Sequence, residues 1–481
     1  MIPGHWNLRA FAPDAKLVSW QRTEVRDFLS KKWPLFTINY QRMFGNKAPT
    51  QKTIARVNHI WIGDGQPEEP IYRLEPVFHF LKTGKKWVGS SMHLWKDKFA
   101  VDYLKNELTP LLKKELPGCT KPDYKWDRKK IKKLKDLYCL SYLAPNARPL
   151  IWTMYLSPYA IAEARKELVC VAAKGGDAHL LALLRGVNRQ SGGNKFLLSW
   201  RGHEPLEQYA YYTRDWYNRP DRENWGYPLP HLQYYIFRPF LLGLNYYMNE
   251  GFPGSLIYDL EGNKTFRLTP TGKIVKKLID YMKRQPEQGT VYTPIALVQG
   301  WYRNLSERGY GDKVAFDRAD WMNYALVNDL LLPEHRHVRN TGEYSVTAPL
   351  GEIIDLLKPN PEKAVDPQIF DGYKVLVLMG GITLSSQYKT ALMNYVKDGG
   401  IIVINAADSK DLFDRGFTGV EIDGAFFASK IKNLKSEQEF KEQKFKCLKL
   451  KLHGAKSLYI ADNSPAVTIN SYGKGQVIIT A

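Results

Sequence analysis

The sequence has few cysteines, no long apolar run and too little acid to balance its base. Cys119, Cys139, Cys170 and Cys447 are scattered over 481 residues without CxxC spacing or close histidine partners. That argues against a zinc site or a disulfide framework and for buried free thiols. No metal and no cofactor is expected. No stretch reaches the roughly 18 to 20 apolar residues that cross a bilayer. The opening Met1-Ile-Pro-Gly also lacks the basic-then-apolar order of a signal peptide. A soluble chain without a membrane partner is expected. Both ends look cut, because the sequence stops inside the strand-like Gln476-Val-Ile-Ile-Thr-Ala. A longer parent is therefore expected, secreted or periplasmic locations being compatible with it, and localisation stays open.

The shortage of acid leaves a net charge of +20, concentrated around Lys82 to Lys86 and in the run from Lys125 to Lys135. Such an excess suits anionic partners, although a run of this kind is also what a solvated helix face looks like. Nucleic acid fits the charge, but no zinc finger, RNP motif or helix-turn-helix pattern specifies it, so it is not the expected partner. An acidic polysaccharide fits equally well.

What the chain does contain is an α/β rhythm. At this length two or three domains are expected. Up to about Arg284, strand-like runs alternate with amphipathic stretches, as parallel strands with helical crossovers require. The runs are Pro34 to Tyr40, Val57 to Ile62, Trp87 to Met92, Pro149 to Leu156, Lys195 to Trp200 and Leu241 to Met248. They predict a (β/α)-barrel-like region over 1–285, closed by a helix from Thr271 to Arg284 and short of eight strands. After a linker, continuous β-branched runs at 292–298, 375–379 and 401–404 read as strands covered on both faces. They predict a doubly wound parallel sheet over 290–430. The segment 431–481 is rich in alternating runs and turns, and would complete that second domain with further strands.

The stretch "FDGYKVLVLMGGITLSSQYKTALMNYVKDGGIIVINAAD", Phe370 to Asp408, resembles the glutamine-amidotransferase-like domain that follows the barrel in family 42 beta-galactosidases and related clan A glycosidases. The resemblance lies in the strand ending at Gly380-Gly381, the helix ending Tyr395-Val-Lys-Asp-Gly-Gly and the apolar strand after it. It covers about Thr293 to Asp408, and the closing "GKGQVIIT" is similar to a run near the end of such proteins. It implies a TIM-like barrel, then a flavodoxin-like domain, and glycoside hydrolase activity. Active class I amidotransferases carry a cysteine at a strand-to-helix elbow. Here the strand Ile401 to Ile404 runs into Asn405-Ala406-Ala407, which implies a noncatalytic domain used as scaffold or for assembly with a second copy. Gly380-Gly381 is expected to be a strand end needing unusual φ and ψ rather than a phosphate site.

Glycoside hydrolysis needs two carboxyl groups, and in a barrel the chemistry lies just beyond the carboxyl ends of strands. Glu204 follows Lys195-Phe-Leu-Leu-Ser-Trp-Arg-Gly-His, and Glu250 follows Leu244-Asn-Tyr-Tyr-Met-Asn. The Asn249-Glu250 dipeptide resembles the Asn-Glu pair of clan A glycosidases, although it falls later along the barrel than that pair does. These two are the candidate catalytic residues, with acid and nucleophile unassigned and a hydrogen-bonding loop role as the plain alternative. Around them Trp200, Arg201, His203, Trp225, Tyr247 and Asn249 are candidates for substrate binding. Trp225 stands out because it sits in a turn-rich loop, where core packing does not explain a large ring. The loop Gly63-Asp64-Gly65-Gln66-Pro67-Glu68-Glu69 offers Asp64 and Glu68 for sugar hydroxyls. Asp177 and His179 are lone polar residues and read as structural. The resulting expectation is a hydrolase acting on an oligo- or polysaccharide, anionic polymers included. Its rival is a noncatalytic carbohydrate-binding or assembly protein of the same architecture, and the two differ in whether two carboxyl groups share one aromatic cleft.

Overall fold

A computed structural model describes residues 353–481 without interruption, and 150–152, 170–174, 178–192, 196–201, 240–243, 246–249, 257–259, 266–268, 270–285, 290–303 and 318–327. It also describes positions 106, 110, 113, 114, 233, 237 and 238. The chain divides into two compact units. One comprises 1–291, 306–315 and 331–349, and the other 292–305, 316–330 and 350–481.

In the first unit, β1 (Leu150–Trp152), β2 (Cys170–Lys174), β3 (Phe196–Arg201) and β4 (Tyr246–Asn249) lie side by side in that order, every neighbouring pair parallel. Helix α1 (Ala178–Gln190) makes the crossover from β2 to β3 and packs on both. Its buried Leu181, Leu184 and Val187 recur at three-residue spacing, one face of a helix. Gly192, at φ +79° just beyond it, supplies the left-handed residue that ends many helices. A hairpin of β5 (Ile257–Asp259) and β6 (Phe266–Leu268) leads into α2 (Pro270–Arg284), which starts with proline where no amide partner is needed. Ile274 and Leu278 form its buried stripe.

Two sequence expectations change here. The run read as a strand from Leu241 is a helix end at Leu241, a turn at Leu242-Gly243 and then β4 from Tyr246. Gly243 takes φ +87° and donates to Phe240 O at 3.1 Å, which closes the helix before the strand begins. A short apolar run does not distinguish these states by periodicity. The strand β2 was not among the expected runs; its Ala172-Ala173 pair lacks the β-branched and aromatic residues that mark strands. The segments Pro34 to Tyr40, Val57 to Ile62 and Trp87 to Met92, and with them closure of a barrel, lie outside the described residues.

The second unit is built on one nine-stranded sheet. Strands β7 (Ile295–Val298), β8 (Ile354–Leu357), β9 (Val375–Leu378), β10 (Ile401–Asn405) and β15 (Gly475–Thr480) form its parallel half in the order β8-β7-β9-β10-β15. Counted within the unit this is 2-1-3-4-5, the flavodoxin-like order. As expected, Val375–Leu378 and Ile401–Ile404 are parallel neighbours, Val375 opposite Ile401 and Leu378 opposite Ile404. The sheet as a whole is mixed, however, not purely parallel. From β15 it continues antiparallel through β14 (Ser464–Tyr472), β13 (Lys456–Ala461), β11 (Val420–Asn433) and β12 (Glu439–Leu452). The physical reason is legible in the burial of β14, where Ala466, Thr468 and Asn470 are buried and the residues between them are not. Such alternation marks a sheet covered on one face, which antiparallel pairing tolerates.

The core lies between the parallel half and α4 (Ser386–Lys397), whose Tyr388, Ala391, Leu392 and Val396 meet Leu376, Leu378, Ile402, Ile404, Val477 and Ile479. Ser385 caps α4 by accepting from Tyr388 N at 3.3 Å. Short helices α5 (Ala406–Leu412) and α6 (Arg415–Thr418) bring Phe413 and Phe417 into the same core, their rings 4.6 Å apart. In the antiparallel half, β12 packs across β14. A second small core of Ala428, Cys447, Ala461 and Ala466 forms there. Burial, with the Asp462 charge as a smaller contribution, pushes the Cys447 thiol up, so it stays protonated and inert.

The two segments that carry the glycosidase resemblance meet. Beyond α4, Gly399 at φ +122° turns the chain, and Gly400 O accepts from Gln476 N at 3.1 Å while Lys397 O accepts from Lys474 N at 2.9 Å. A Cβ on Gly475 would stand 2.2 Å from both Gly400 O and Val396 O, and one on Gly400 would stand 2.2 Å from the Tyr395 ring. The contacts at Gly475 are backbone atoms, which cannot swing aside. Gly475→Ala is therefore expected to lower the unfolding free energy by roughly 1–3 kcal/mol, in the range of overpacked sites. Lys474→Ala, one residue earlier in the exposed turn, should change it little. Urea denaturation of both variants checks this, and equal stabilities would remove the close approach as a constraint.

Candidate functional site

In the first unit, the candidate site residues within the described part fall on two adjacent strands. Trp200 and Arg201 end β3, and Tyr247 and Asn249 lie on β4. The register sets Ser199 beside Tyr247, Trp200 beside Met248 and Arg201 beside Asn249. Two parallel strands that finish level present their carboxyl ends together, about 4.8 Å apart in the hydrogen-bonding direction. Glu204, Glu250, His203, Trp225, Asp64 and Glu68 lie outside the described residues, as does the run from Lys125 to Lys135. His179 is the second residue of α1.

In the second unit the described residues include the point where strand order reverses, between β7 and β9. In open α/β sheets ligands bind outside the carboxyl ends of strands at such a point. Here side chains of the described residues bridge it. Arg303, just after β7, donates from Nε to Gly381 O at 2.8 Å, and its Nη1 stands 3.8 Å from the fully buried Asp320 carboxylate. Gly381 takes φ +69°, and a Cβ there would lie 2.1 Å from the Arg303 guanidinium. Helix α3 (Arg318–Ala325) supplies Asn323, whose amide accepts from Gly380 N at 2.9 Å and donates to Gly380 O at 2.8 Å. Asp408, in the first turn of α5, accepts from Gly381 N at 2.9 Å. The expectation that Gly380-Gly381 needs unusual backbone geometry is met at Gly381, and the reason is close approach by an arginine.

Burial raises the Asp408 pKa, while the Gly381 amide and the Arg303 charge pull the other way. Gln299 is 1 % exposed, and its Nε2 has no hydrogen-bond partner among the described residues. At the opposite end of the same strands, buried Asp355 accepts from Thr293 Oγ1 at 2.8 Å and from Tyr373 OH at 3.0 Å, which pins β8 to the approaches of β7 and β9. After β10, the position of an amidotransferase elbow, Asn405 caps α5 by accepting from Ala407 N at 2.8 Å. Arg303, Asn323 and Asp408 carry no motif in the sequence. The 2-1-3-4-5 strand order is what brings them together, and only Asp408, directly after an apolar strand, had a local signal.

No protein-family model matches the sequence, and no curated protein matches it. Among solved structures, the chain is similar to a cold-adapted beta-galactosidase from Rahnella sp. R3, at 14% identity and a TM-score of 0.41, over 74% of this chain and 54% of that one. It is also similar to a beta-galactosidase from Bacillus circulans sp. alkalophilus, at 12% identity and a TM-score of 0.44, over 80% and 63%. A ThuA-like protein from Parabacteroides merdae is similar at 15% identity and a TM-score of 0.26, over 39% and 77%. The chain spans about half the length of the first of these.

The Asp408 shift has a sign that can be measured. Because its pKa is raised on folding, the folded chain holds this proton to higher pH than the unfolded chain does. Its contribution to stability is full below the ordinary value of 3.8 and is lost as pH rises through the raised value. Asp408→Asn keeps an acceptor for Gly381 N and removes the titration. The stability of the variant relative to the parent should rise with pH across that window and then level off. Urea denaturation at intervals between pH 3.5 and about 7 measures it, and a difference that does not vary with pH would contradict this account.

Proposed function

We propose that the chain is a glycoside hydrolase-like protein acting on an oligo- or polysaccharide, anionic polymers included, with Glu204 and Glu250 as its carboxyl pair. The observation that carries this reading is the level pairing of Arg201 with Asn249 at the carboxyl ends of adjacent parallel strands. Glu204 is the third residue after the first strand and Glu250 the first after the second. Carboxylates carried so close beyond strand ends are the arrangement that hydrolysis at a barrel rim uses. The flavodoxin-like strand order of the second unit agrees with the domain that the sequence resemblance implies.

In this reading one glutamic acid protonates the departing glycosidic oxygen, and the other either attacks the anomeric carbon or takes a proton from the attacking water. Mutual repulsion keeps one proton on the pair, so a single residue type supplies both acid and base. Trp200, Trp225 and Tyr247 offer faces for sugar rings. Arg201, His203, Asn249, Asp64 and Glu68 offer hydrogen bonds to hydroxyl or carboxylate groups.

The test is hydrolysis of neutral and uronate-containing oligosaccharides by the full chain, with reducing ends measured. Glu204→Gln and Glu250→Gln should each lower kcat by about 100-fold or more, the scale of a lost general acid or base, with unchanged thermal melting. Undiminished turnover in either variant would sink the assignment and move Asp64, Glu68 and Glu69 to the front.

A further inference from the structure

The β11–β12 hairpin of the second unit carries an exposed surface that neither core explains. Its two strands are 14 residues each, a ribbon of about 46 Å at 3.3 Å per residue. Near the base, one face turns inward through Val420, Ile422, Leu448 and Leu450 to the main core. Near the tip, the opposite face turns inward through Phe426, Ala428, Phe445 and Cys447 to the small core. The exchange happens at a bulge between Ile422 and Ala425, where Gly424 takes φ +90°. As a result, the face that is core at the base is solvent-facing at the tip.

That outer tip face carries Phe427, 60 % exposed, with Lys446 directly across from it and Lys444 Nζ 5.1 Å from its ring centroid. Further along, Phe440, 43 % exposed, pairs with Ile431. The hairpin's charges are unevenly matched. Glu421 meets His453 at 2.8 Å, Asp423 meets Lys449 at 3.8 Å and Glu439 meets Lys430 at 3.3 Å. Among the described residues neither Lys444 nor Lys446 has an ion-pair partner. β12 has five lysines against two acids, Glu439 and Glu442, the first of them paired with Lys430, so the strand is complementary to a polyanion and not to itself.

We propose that this face is a docking surface for an anionic polysaccharide, with Phe427 under a sugar ring and Lys444 and Lys446 on its carboxylate or sulfate groups. The choice of polymer rests on the glycan reading above. The surface itself supports it in two ways. Lysine ammonium groups act as point charges toward carboxylate or sulfate, and residues 420–452 contain no arginine, the residue that makes the commonest specific contact to base edges. A second copy pairing through β12 would set lysines against lysines, which opposes edge-to-edge addition.

The experiment is affinity electrophoresis of the full chain in gels containing polygalacturonate, heparin or neutral dextran, and titration with a single-stranded thymidine oligonucleotide. The chain should be retarded by the two acidic glycans, more at low salt than at high salt, and not by dextran. The double variant Lys444→Glu, Lys446→Glu and the single variant Phe427→Ala should each weaken that binding by about tenfold or more. Lys444→Arg with Lys446→Arg should retain it. Unchanged melting of each variant shows that the hairpin still folds. No retardation by either acidic glycan, retardation that survives the charge reversal, or tighter binding of the oligonucleotide through the same residues would each overturn the proposal. Hydrolysis of short neutral oligosaccharides by the hairpin variants keeps the two readings apart. Failure of Glu204→Gln to affect turnover bears on the catalytic assignment alone, and loss of glycan retardation in the hairpin variants bears on this surface alone.

Discussion

The second unit depends on a backbone-to-backbone approach between the end of α4 and the start of β15. Gly475 lies so near Gly400 O and Val396 O that no side chain fits between them. This contact sets the register of Gln476 opposite Ile401. The register in turn puts Val477 and Ile479 into the core with Ile402 and Ile404. A shift by one residue would turn each of those side chains to the other face. The glycines of "KDGG" and "GKGQV" are thus two halves of one steric requirement, far apart in sequence and in van der Waals contact in space.

How much of this was legible follows from where the information lies. The strands at Val375 to Leu378 and Ile401 to Ile404 were readable because continuous apolar runs rich in β-branched residues are local signals. The antiparallel half was only partly readable, since in β14 the buried positions include polar Thr468 and Asn470 while Val467 and Ile469 lie on the other face, so hydrophobicity along the chain does not name the covered face. Leu241 was misread because an apolar run of that length serves a helix end as well as a strand. The crevice residues Arg303 and Asn323 were invisible for a different reason, and Asp408 had no more than its place soon after an apolar strand. Their meaning comes from crossing strand order, and no spacing along the chain encodes it.

The two carboxylates proposed for catalysis follow the opposite logic. Their candidacy came from position after strand-like runs and, for Glu250, from the Asn-Glu resemblance; the strands that precede them, β3 and β4, end level. In the second unit, the place where an open sheet would take a ligand is bridged by Arg303, held between Asp320 and Gly381 O. The fully buried Asp320 carboxylate opposite the partly buried Arg303 is stable only while that partner stays. The unit is therefore braced at its carboxyl edge by the Arg303 network and at its amino edge by Asp355.

Because β15 is inserted between β10 and β14, the parallel and antiparallel halves share one strand that arrives after the whole hairpin excursion. The antiparallel strands β11 to β15 are contiguous in sequence and pair among themselves, whereas the parallel half is complete only once β15 has docked on β10. Pairing Ile401 with Gln476 closes a long stretch of chain, an entropic cost that local helices do not meet, although the hairpins within that stretch shorten the effective loop. The consequence is kinetic, as sheets closed by such distant segments assemble slowly. During that interval the five lysines of β12 keep an unpaired edge from recruiting a stranger's strand.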